Sequence, residues 1–525
     1  MEDPLLSWSS FVGVLLFLLA VLLLRRRRCS TRKQYNLPPG PRPWPVIGNL
    51  NLIGPLPHRS LHELSARYGP LMSLQLGSYP TVVGSSVAMA RFFLKTHDAA
   101  FLDRPRLSTG RHIFYGCSDI LWAPYGAYWR QARKLCQAEL LSARQLRSTE
   151  HVRDEEVHAA VRGLRAAAAA ASSAGGAVVL KDHLAMVSVG VISRVALGRK
   201  YVVEGGSSPV APDEFRWMVD ELFLVGGLIG IGDFIPWMEW MDLQGYVKRM
   251  KKLRKMLDRL LDHVVDEHGE RRRREGEGFV PRDMVDLLLQ LADDPSLEVP
   301  IERDGVKAFT LDLIAAGTDT SAVTVEWALS ELLRKPEAIA KATEELDSVV
   351  GSGRLVTEAD IPRLPYLEAI VKETMRLHPA APLLAPRLSR EDTSVGGHYD
   401  IPAGTRVLFN VWAIGRDPAV WGDAAEEFRP ERFVGSDVDV KGHDFELLPF
   451  GAGRRMCPGY ALGLKMVQLT LASLLHAFEW RLPDGVVAEE LSMEEKYGMS
   501  MPRMVPLAAV IQPRLPAHLY DDDGP

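Results

Sequence analysis

One cysteine near the carboxyl end of the chain, Cys457, is surrounded by a loop sequence that core packing alone does not require. The segment from Phe450 to Gly459 has the order Phe-Gly-Ala-Gly-Arg-Arg-Met-Cys-Pro-Gly and precedes a long apolar helical pattern. Pro458 suits the first turn of that helix, so Cys457 would lie at a helix N-terminus, whose partial positive charge favours a thiolate. Glycines let the backbone turn sharply and approach a flat ring. The pattern therefore predicts a loop that presents a thiolate to haem iron.

This segment is similar to the haem-binding loop of the cytochrome P-450 family, Phe-x-x-Gly-x-Arg-x-Cys-x-Gly, at every fixed position. The resemblance implies that Cys457 ligates the iron and that Phe450 and Gly459 belong to the haem-binding loop. It also implies that Arg455 meets a haem propionate as a charge-assisted partner. The alternative is a buried structural cysteine after a Gly-rich turn, the usual role of a lone cysteine. Five fixed residues around one sulfur favour the haem loop.

Composition excludes several other classes of protein. The chain has 525 residues, 47% of them hydrophobic, which is enough for a large core. Its 62 Lys and Arg against 67 Asp and Glu give a net charge of −5, so no nucleic-acid partner is indicated. The four cysteines lack the spacing of a disulfide framework or a zinc site. A reducing compartment is therefore expected for the body of the protein.

The first residues predict a membrane anchor. Leu5 to Leu24 carries no charge and is about long enough to cross a bilayer as a helix. A basic stretch from Arg25 to Lys33 follows it, and Glu2 and Asp3 precede it. This order places the bulk of the chain in the cytosol by the positive-inside rule and is the reverse of a cleaved signal peptide. We expect a single-pass, uncleaved anchor in the endoplasmic reticulum membrane.

The remaining organisation predicts one catalytic domain. We assign residues 1–36 to the anchor and basic stop, 37–50 to a proline-rich hinge, 51–512 to a haem-thiolate monooxygenase domain and 513–525 to a C-terminal tail. Strand-like patterns occupy residues 71–83 and 395–411, and helical periodicity covers most of the rest, including 308–333, 337–350, 364–377 and 460–478. We expect a mainly α fold with small β-sheets, the cytochrome P-450 fold, preceded by an N-terminal transmembrane helix.

A second motif lies inside the longest helical pattern, where Ala316-Gly317-Thr318-Asp319-Thr320-Ser321 interrupts apolar sequence. On a helix, Ala316, Gly317 and Thr320 would point together, and their small side chains would leave room for a flat ligand and a diatomic molecule. In the family, the matching threonine and acid handle dioxygen and protons, and the resemblance carries these roles to Thr320 and Asp319. When this hexapeptide is considered by itself, the alternative is a polar interruption within a core helix.

A charged triad is implied by the order of three motifs. Glu373 and Arg376 are three residues apart on one predicted helix, a spacing that by itself commonly gives a weak surface pair. Pro430-Glu431-Arg432-Phe433 follows, and then the cysteine loop. The resemblance implies that Arg432 completes a partly buried structural network with Glu373 and Arg376 behind the haem, and that losing one member would prevent haem retention.

Further cations are expected at the haem propionates. Trp129 and Arg133 match the family's helix that meets these carboxylates, and Arg387 occupies another position that the family often uses. Two carboxylates in a low-dielectric site require cations. Core packing is an alternative role for Trp129. A further possibility is that four cations form a basic patch that binds an acidic flavoprotein: Arg130, Lys134, Arg454 and Lys465. The alternative is that they belong to a solvated charged face.

The resemblance implies a haem-thiolate monooxygenase with haem b as cofactor and O2 as co-substrate. No dinucleotide-binding motif occurs, so electrons should come from NADPH through a separate membrane-bound cytochrome reductase. One alternative class is a haem-thiolate isomerase or lyase that works without O2; its members usually depart from the threonine pattern that this chain keeps. A second alternative is a membrane haem protein for electron transfer or sensing.

The expected substrate is a small lipophilic molecule. By position within the family, the pocket walls include the mostly apolar segments 107–122, 215–240, 309–316, 380–385 and 499–501, with Phe114, Phe309, Ala316, Ala381 and Met499 as candidate contacts. The chain resembles plant A-type members near terpenoid-oxidising and homoterpene-forming enzymes. An acyclic terpene alcohol is the first expectation. Flavonoid 3′-hydroxylase and brassinosteroid hydroxylase activities are the alternatives.

Overall fold

The computed structural model describes residues 35–172, 176–201 and 209–521. The anchor predicted for residues 5–24 and Cys29 lie outside the described residues. Within them, no helix is both long and apolar enough to cross a membrane.

The α-helices are α1 Pro57–Tyr68, α2 Val87–Arg91, α3 Ser108–His112, α4 Ala127–Leu135, α5 Ala143–Ser148, α6 Glu150–Ser172, α7 Lys181–Leu197, α8 Pro212–Gly227, α9 Ile231–Phe234, α10 Tyr246–Glu275, α11 Met284–Ala292, α12 Arg303–Arg334, α13 Pro336–Val349, α14 Pro365–Leu377, α15 Val411–Ile414, α16 Pro418–Trp421 and α17 Tyr460–Ala477.

Helix α12 forms the centre of the molecule. It packs against α7 along much of its length and also contacts α10, α14 and α17. Leu311, Val325 and Leu329 are buried within it, while Asp319 and Thr320 interrupt its apolar surface. Because α12 has neighbours on several sides, almost all of its residues from Val306 to Leu333 meet other side chains. A central helix of this kind holds its polar residues at fixed positions in the interior.

Three small sheets lie at the edges of the helical body. The strands are β1 Leu71–Leu76, β2 Tyr79–Gly84, β3 Val178–Val179, β4 Arg387–Leu388, β5 Thr393–Val395, β6 Tyr399–Ile401, β7 Arg406–Phe409, β8 Phe478–Arg481 and β9 Ala508–Pro513. Their orders are β1-β2-β7-β4, β3-β9-β8 and β5-β6. β1 and β2 pair antiparallel with Leu71 opposite Gly84, and β7 runs parallel to β2. Gly77 turns the first hairpin with φ +57°, a conformation that favours glycine.

These elements confirm the prediction of a mainly α fold with small sheets. The strand patterns at 71–83 and 395–411 correspond to β1 with β2 and to β6 with β7, and the turn around Gly404 has φ +80°. The helical patterns correspond to α12, α13, α14 and α17 to within a few residues at most ends. One detail was wrong: α17 begins at Tyr460 with Gly459 as its N-cap, so Pro458 precedes the first turn.

Candidate functional site

The loop before α17 is folded tightly around Cys457. Gly451 and Gly453 have φ of +69° and +71°, which a residue with a Cβ rarely adopts. The Cys457 N–H donates to the carbonyl of Phe450 at 2.9 Å, and the Met456 N–H donates to that of Gly453 at 3.1 Å. These bonds fix the direction in which the sulfur points.

The surroundings of the Cys457 sulfur include groups that favour its anion. Burial raises the pKa of the thiol, while a hydrogen bond from the Gly459 N–H and the nearby positive charge of Arg133 act in the opposite direction. A Cβ placed on Gly459 would meet no atom within 4 Å, so one side of the loop is open. The loop therefore offers a donor-supported sulfur beside open space.

A cluster of buried and half-buried arginines lies next to this loop. Arg455 donates to the carbonyls of Leu102 at 3.0 Å and Ala123 at 2.7 Å. Burial and then the charge of Arg387 lower the pKa of Arg455 to about 9. Burial lowers the pKa of Arg104 as well, followed by the charges of Arg455 and Arg387. Cations that lower one another's pKa indicate a site suited to an anion.

The acids of the described residues neutralise this cluster only in part. Asp98 pairs with Arg387 at 2.6 Å and with the more exposed Arg454 at 3.3 Å. Burial lowers the pKa of Arg133, while Cys457 and then Cys136 raise it. A cysteine sulfur that accepts from a backbone N–H, beside several guanidinium groups, matches the iron and the two propionates of a haem. The residues present therefore fit this group.

Trp129 and Arg104 are two further residues of this cluster. The Trp129 indole donates its Nε1–H to the Ile120 carbonyl at 3.0 Å, and the Arg455 guanidinium lies 4.1 Å from the centre of the Trp129 ring. Sequence reasoning missed Arg104, which donates to the carbonyls of Leu121 at 3.1 Å and Pro386 at 2.9 Å. The only signal for Arg104 was a cation before a proline, which does not reveal burial.

The candidate oxygen-handling segment lies in the middle of α12. The Thr320 hydroxyl donates to the Ala316 carbonyl at 2.9 Å, and Ala316 is exposed although it is central in the helix. Open space therefore borders this face. The prediction that Gly317 shares the open face was wrong: a Cβ there would come within 2.5 Å of two atoms of Ile192 on α7. Gly317 is needed for close packing between the two helices.

Three acids face the interior near this segment. The Ser500 hydroxyl donates to the Asp319 carboxylate, and burial raises the pKa of Asp319. The Asp312 carboxylate accepts from the Ile120 N–H at 2.7 Å. Asp119 is fully buried near Asp312, and burial raises the pKa of both acids. Sequence reasoning missed Asp119 and Asp312.

The triad expected from the motif order is assembled, with Glu373 and Arg376 fully buried and Arg432 partly buried. Arg376 donates to the two carboxylate oxygens of Glu373 at 2.7 and 2.8 Å, and both side chains are 0% exposed. Arg432 donates from Nε to Glu373 at 2.9 Å. The Arg429 N–H adds a further bond to the same carboxylate at 2.7 Å. The pair is thus a multiply hydrogen-bonded interior network rather than a surface ion pair.

A family model described as Cytochrome P450 matches residues 38–504 of the chain. The chain belongs to the cytochrome P-450 family. A zebra fish cytochrome P-450 structure with progesterone superimposes with a TM-score of 0.71 at 27% sequence identity, covering 87% of this chain and 99% of that one. The family implies haem, O2 and electrons supplied by a reductase, and the chain is an oxidoreductase of this class.

Several plant relatives of this cytochrome P-450 match over almost the whole chain. Trimethyltridecatetraene synthase of Zea mays is 52% identical, with 97% of this chain and 94% of the relative covered. Dimethylnonatriene synthase of Zea mays is 49% identical, with 98% of each covered. Flavonoid 3'-monooxygenase of Petunia hybrida is 44% identical, with 98% of this chain and 99% of the relative covered.

The candidate substrate contacts of this cytochrome P-450 fall into two groups. Phe114 and Phe309 are each 1% exposed and belong to one packed hydrophobic cluster. Ala381 and Met499 are half-buried, and Ala316 is exposed. The N–H of Met499 donates to the Phe223 carbonyl on α8 at 2.8 Å. The structure thus brings the loop of Met499 against α8, while the two phenylalanines lie in the packed interior.

Three of the four cations considered for a reductase-binding patch on this cytochrome P-450, namely Lys465, Arg130 and Arg454, have acidic neighbours within the chain. Lys465 binds Glu358, which also binds Arg153 inside the protein. Arg130 lies 3.8 Å from Glu298. Lys134 is exposed. Of the four cations, Lys465 has the clearest structural role, and this weakens its part in the patch.

Proposed function

We propose that the chain is a membrane-anchored haem-thiolate monooxygenase that oxidises a small lipophilic plant metabolite. Residues 1–36 anchor it as a single pass in the endoplasmic reticulum membrane, residues 37–50 form the hinge, and the catalytic domain of residues 51–512 lies in the cytosol. Electrons from NADPH reach the site through a membrane-bound cytochrome reductase. The reaction RH + O2 + NADPH + H⁺ → ROH + H2O + NADP⁺ describes the hydroxylating form.

The assignment of roles follows the geometry of the site. Haem b, when bound, supplies the activation of dioxygen. Cys457 serves as its thiolate ligand, with the Gly459 N–H supporting the sulfur. Arg104, Arg133, Arg387 and Arg455 hold the propionates, and Trp129 supports Arg455. Thr320, on the open face of α12, and Asp319, which accepts from Ser500, guide protons.

The proposed substrate is an acyclic terpene alcohol, which the enzyme either cleaves oxidatively to a homoterpene or hydroxylates. The observation that carries this choice is identity of 52% and 49% to two synthases from Zea mays whose products, by name, are methylated unsaturated hydrocarbons. A flexible, apolar substrate also suits a wall that contains Met499 and the apolar face of α8, because thioether and aliphatic side chains adapt their packing.

Flavonoid 3′-hydroxylation is the second candidate, because three relatives with 42–45% identity carry the name Flavonoid 3'-monooxygenase. Brassinosteroid hydroxylation remains a further alternative within the same reaction class. An isomerase or lyase that needs no O2 is the alternative of another class. The intact Thr320 and Asp319 pattern favours the O2-dependent reaction over it.

The test uses the full chain in membranes with a plant cytochrome reductase and NADPH. A panel of sesquiterpene and diterpene alcohols, flavonoids and brassinosteroids is supplied, and products are identified by mass spectrometry. We expect a shortened, more unsaturated hydrocarbon or a hydroxylated terpenoid, formed only with both O2 and NADPH. Turnover without O2 would overturn the monooxygenase assignment. If flavonoids were the only compounds converted, the proposed terpene alcohol substrate would be wrong. Cys457→Ser is expected to abolish turnover and the thiolate-type carbon monoxide spectrum.

A further inference from the structure

Asp312 lies on the open face of α12, about one helical turn before Ala316. Asp312, Ala316 and Thr320 are four residues apart in sequence, a spacing that places side chains on one face of a helix. Asp312 is half-buried, whereas Leu311 and Ile314 beside it are buried. Because other helices surround α12, the accessible part of Asp312 faces interior space. Its carboxyl group therefore borders the same space as Ala316, about 6 Å away along the helix axis.

One oxygen of Asp312 is held by the protein, and the other is available to a ligand. Oδ2 accepts from the Ile120 N–H at 2.7 Å. Among the residues that the structure describes, Oδ1 has no hydrogen-bond partner and keeps some accessible surface. Thr310, two residues away, is 0% exposed, and its hydroxyl donates to the Val306 carbonyl at 2.8 Å. Within the pocket-wall segment 309–316, Asp312 is therefore the side chain that offers a polar atom to the open space.

A second acid, Asp119, lies behind Asp312 and is also incompletely bonded. Asp119 is 0% exposed, and it is close enough for its charge to act on Asp312. Its Oδ2 accepts from the Trp122 N–H at 3.1 Å, whereas its Oδ1 has no partner within the described part of the chain. Buried polar atoms of this kind are uncommon and call for an explanation. Asp119 and Asp312 thus form a polar site at an otherwise apolar wall.

The Asp119–Asp312 pair retains a proton near neutral pH. Burial raises the pKa of Asp312, and the negative charge of Asp119 raises it further. Burial also raises the pKa of Asp119, to about 7, whereas the Trp122 N–H and the positive charge of Arg104 act in the opposite direction. Two neighbouring carboxyl groups in the interior do not both ionise readily, so the proton belongs to the pair. Such a pair can donate one hydrogen bond and accept another, which is what a hydroxyl group requires.

We propose that Asp312 binds the hydroxyl group of the substrate, with Asp119 as the positioning residue behind it. The inference rests on the proposed function, the oxidation of an acyclic terpene alcohol, and assigns a site to the one polar group of that substrate. Apolar walls bind a hydrocarbon chain without fixing its orientation, and a few polar groups in a pocket supply that orientation. A hydroxyl held at Asp312 fixes one end of a flexible chain. A defined carbon of the chain then lies beside Ala316 and Thr320.

Ligand binding to the haem-loaded full chain tests this site without turnover. Two ligands are compared by the spectral shifts that they induce: an acyclic sesquiterpene alcohol and the hydrocarbon of the same skeleton without the hydroxyl. We expect the wild type to bind the alcohol more tightly, and Asp312→Ala to reduce this preference about fivefold, the factor for one hydrogen bond. Asp312→Asn keeps a donor and an acceptor and should retain the preference. Thr310→Val, which removes the other polar group of the segment, is the matched control and should also retain it.

The preference is a ratio of two affinities, so it separates recognition from a general loosening of the pocket. A variant that only disturbs packing weakens both ligands alike and leaves the ratio unchanged. An unchanged ratio in Asp312→Ala, or a wild type without preference for the alcohol, would overturn the proposed contact. Binding of neither ligand by the wild type would overturn the proposed terpene alcohol substrate, and this site with it.

Infrared difference spectra recorded on ligand binding test the shared proton. We expect the carbonyl band of a protonated carboxyl group to shift when the alcohol binds and to stay in place when the hydrocarbon binds. Asp312→Asn should abolish the band, and Asp119→Asn should weaken it, because the remaining acid loses the neighbouring negative charge. A band that does not respond to the alcohol would overturn the contact. A wild type that shows the preference and the band shift but oxidises no terpenoid would instead overturn the proposed function.

Discussion

The carboxylate of Asp312, on α12, accepts a hydrogen bond from the backbone N–H of Ile120 at 2.7 Å. The carbonyl of the same Ile120 accepts from the Trp129 indole at 3.0 Å and from Arg455 at 3.3 Å. One peptide segment therefore connects the central helix to the arginines expected at the haem propionates. A loop held at both its N–H and its carbonyl couples the position of α12 to that of the Trp129 and Arg455 side chains.

Removing the acceptor at position 312 should loosen this connection. In Asp312→Ala the Ile120 N–H loses its partner inside the protein, which costs about 1–3 kcal/mol. In Asp312→Asn the side-chain oxygen still accepts, so stability should remain close to that of the wild type. Hydrogen exchange of the peptide containing residues 118–123, with the rate of haem loss, measures the difference. Similar exchange in the alanine and asparagine variants would contradict this role of the carboxylate.

The triad leads to a second prediction. Glu373→Gln leaves Arg376 without its carboxylate in a fully buried position, at a cost of about 3–5 kcal/mol. We expect little haem-loaded protein, measured as the ratio of haem to protein absorbance after purification. Arg429→Gln is the control, because Arg429 contacts Glu373 through its backbone N–H and its side chain is exposed. Normal haem content in Glu373→Gln would argue against a structural requirement for the network.

The contact between α7 and α12 gives a third prediction. Gly317→Ala would place a methyl group 2.3 Å from Cδ1 and 2.5 Å from Cγ1 of Ile192, so the helices must separate at a cost of about 1–3 kcal/mol. Because Ile192→Ala is itself destabilising, the comparison is a double-mutant cycle: Gly317→Ala should lower thermal stability less in the Ile192→Ala background than in the wild type. Gly463→Ala, on α17, meets no atom closer than 3.8 Å and serves as the control. An equal loss in both backgrounds would contradict the packing explanation.

The sequence predicted the parts of this structure whose information is local. The cysteine loop and the hairpin at Gly77 depend on neighbouring residues and turn chemistry, so their patterns are visible along the chain. The sequence assigns Gly317 to one face of α12. Which face of α12 packs against α7 depends on tertiary structure. The Asp312–Ile120 bond joins residues 192 positions apart. Neither Arg104 nor Ser500 carries a local pattern that distinguishes it from an ordinary exposed residue, because burial is decided by distant segments.

Glu495 holds the start of the segment that leads to Met499 and Ser500. It is buried and accepts from Arg59 at 2.7 Å and from the Trp412 indole at 3.1 Å, with His58 at 3.0 Å. Burial raises the pKa of Glu495, but the hydrogen bonds and charges of His58 and Arg59 outweigh this effect and bring the pKa to about 2. The ionised form is thus favoured in the folded protein.

This lowered pKa predicts how acid affects stability. An unfolded glutamate has a pKa of about 4.3, so Glu495 contributes stability above that value, and the contribution is lost as pH falls toward 2. A difference of about two units corresponds to about 3 kcal/mol at neutral pH. We expect Glu495→Gln to have a lower thermal midpoint than the wild type at pH 7. Below pH 5, the midpoint of the variant should fall less steeply with decreasing pH than that of the wild type. Glu494→Gln, at an exposed neighbour, should follow the wild-type curve. Parallel curves for all three proteins would show that the Glu495 cluster does not stabilise this segment, because its ionisation would then be the same in the folded and unfolded chains.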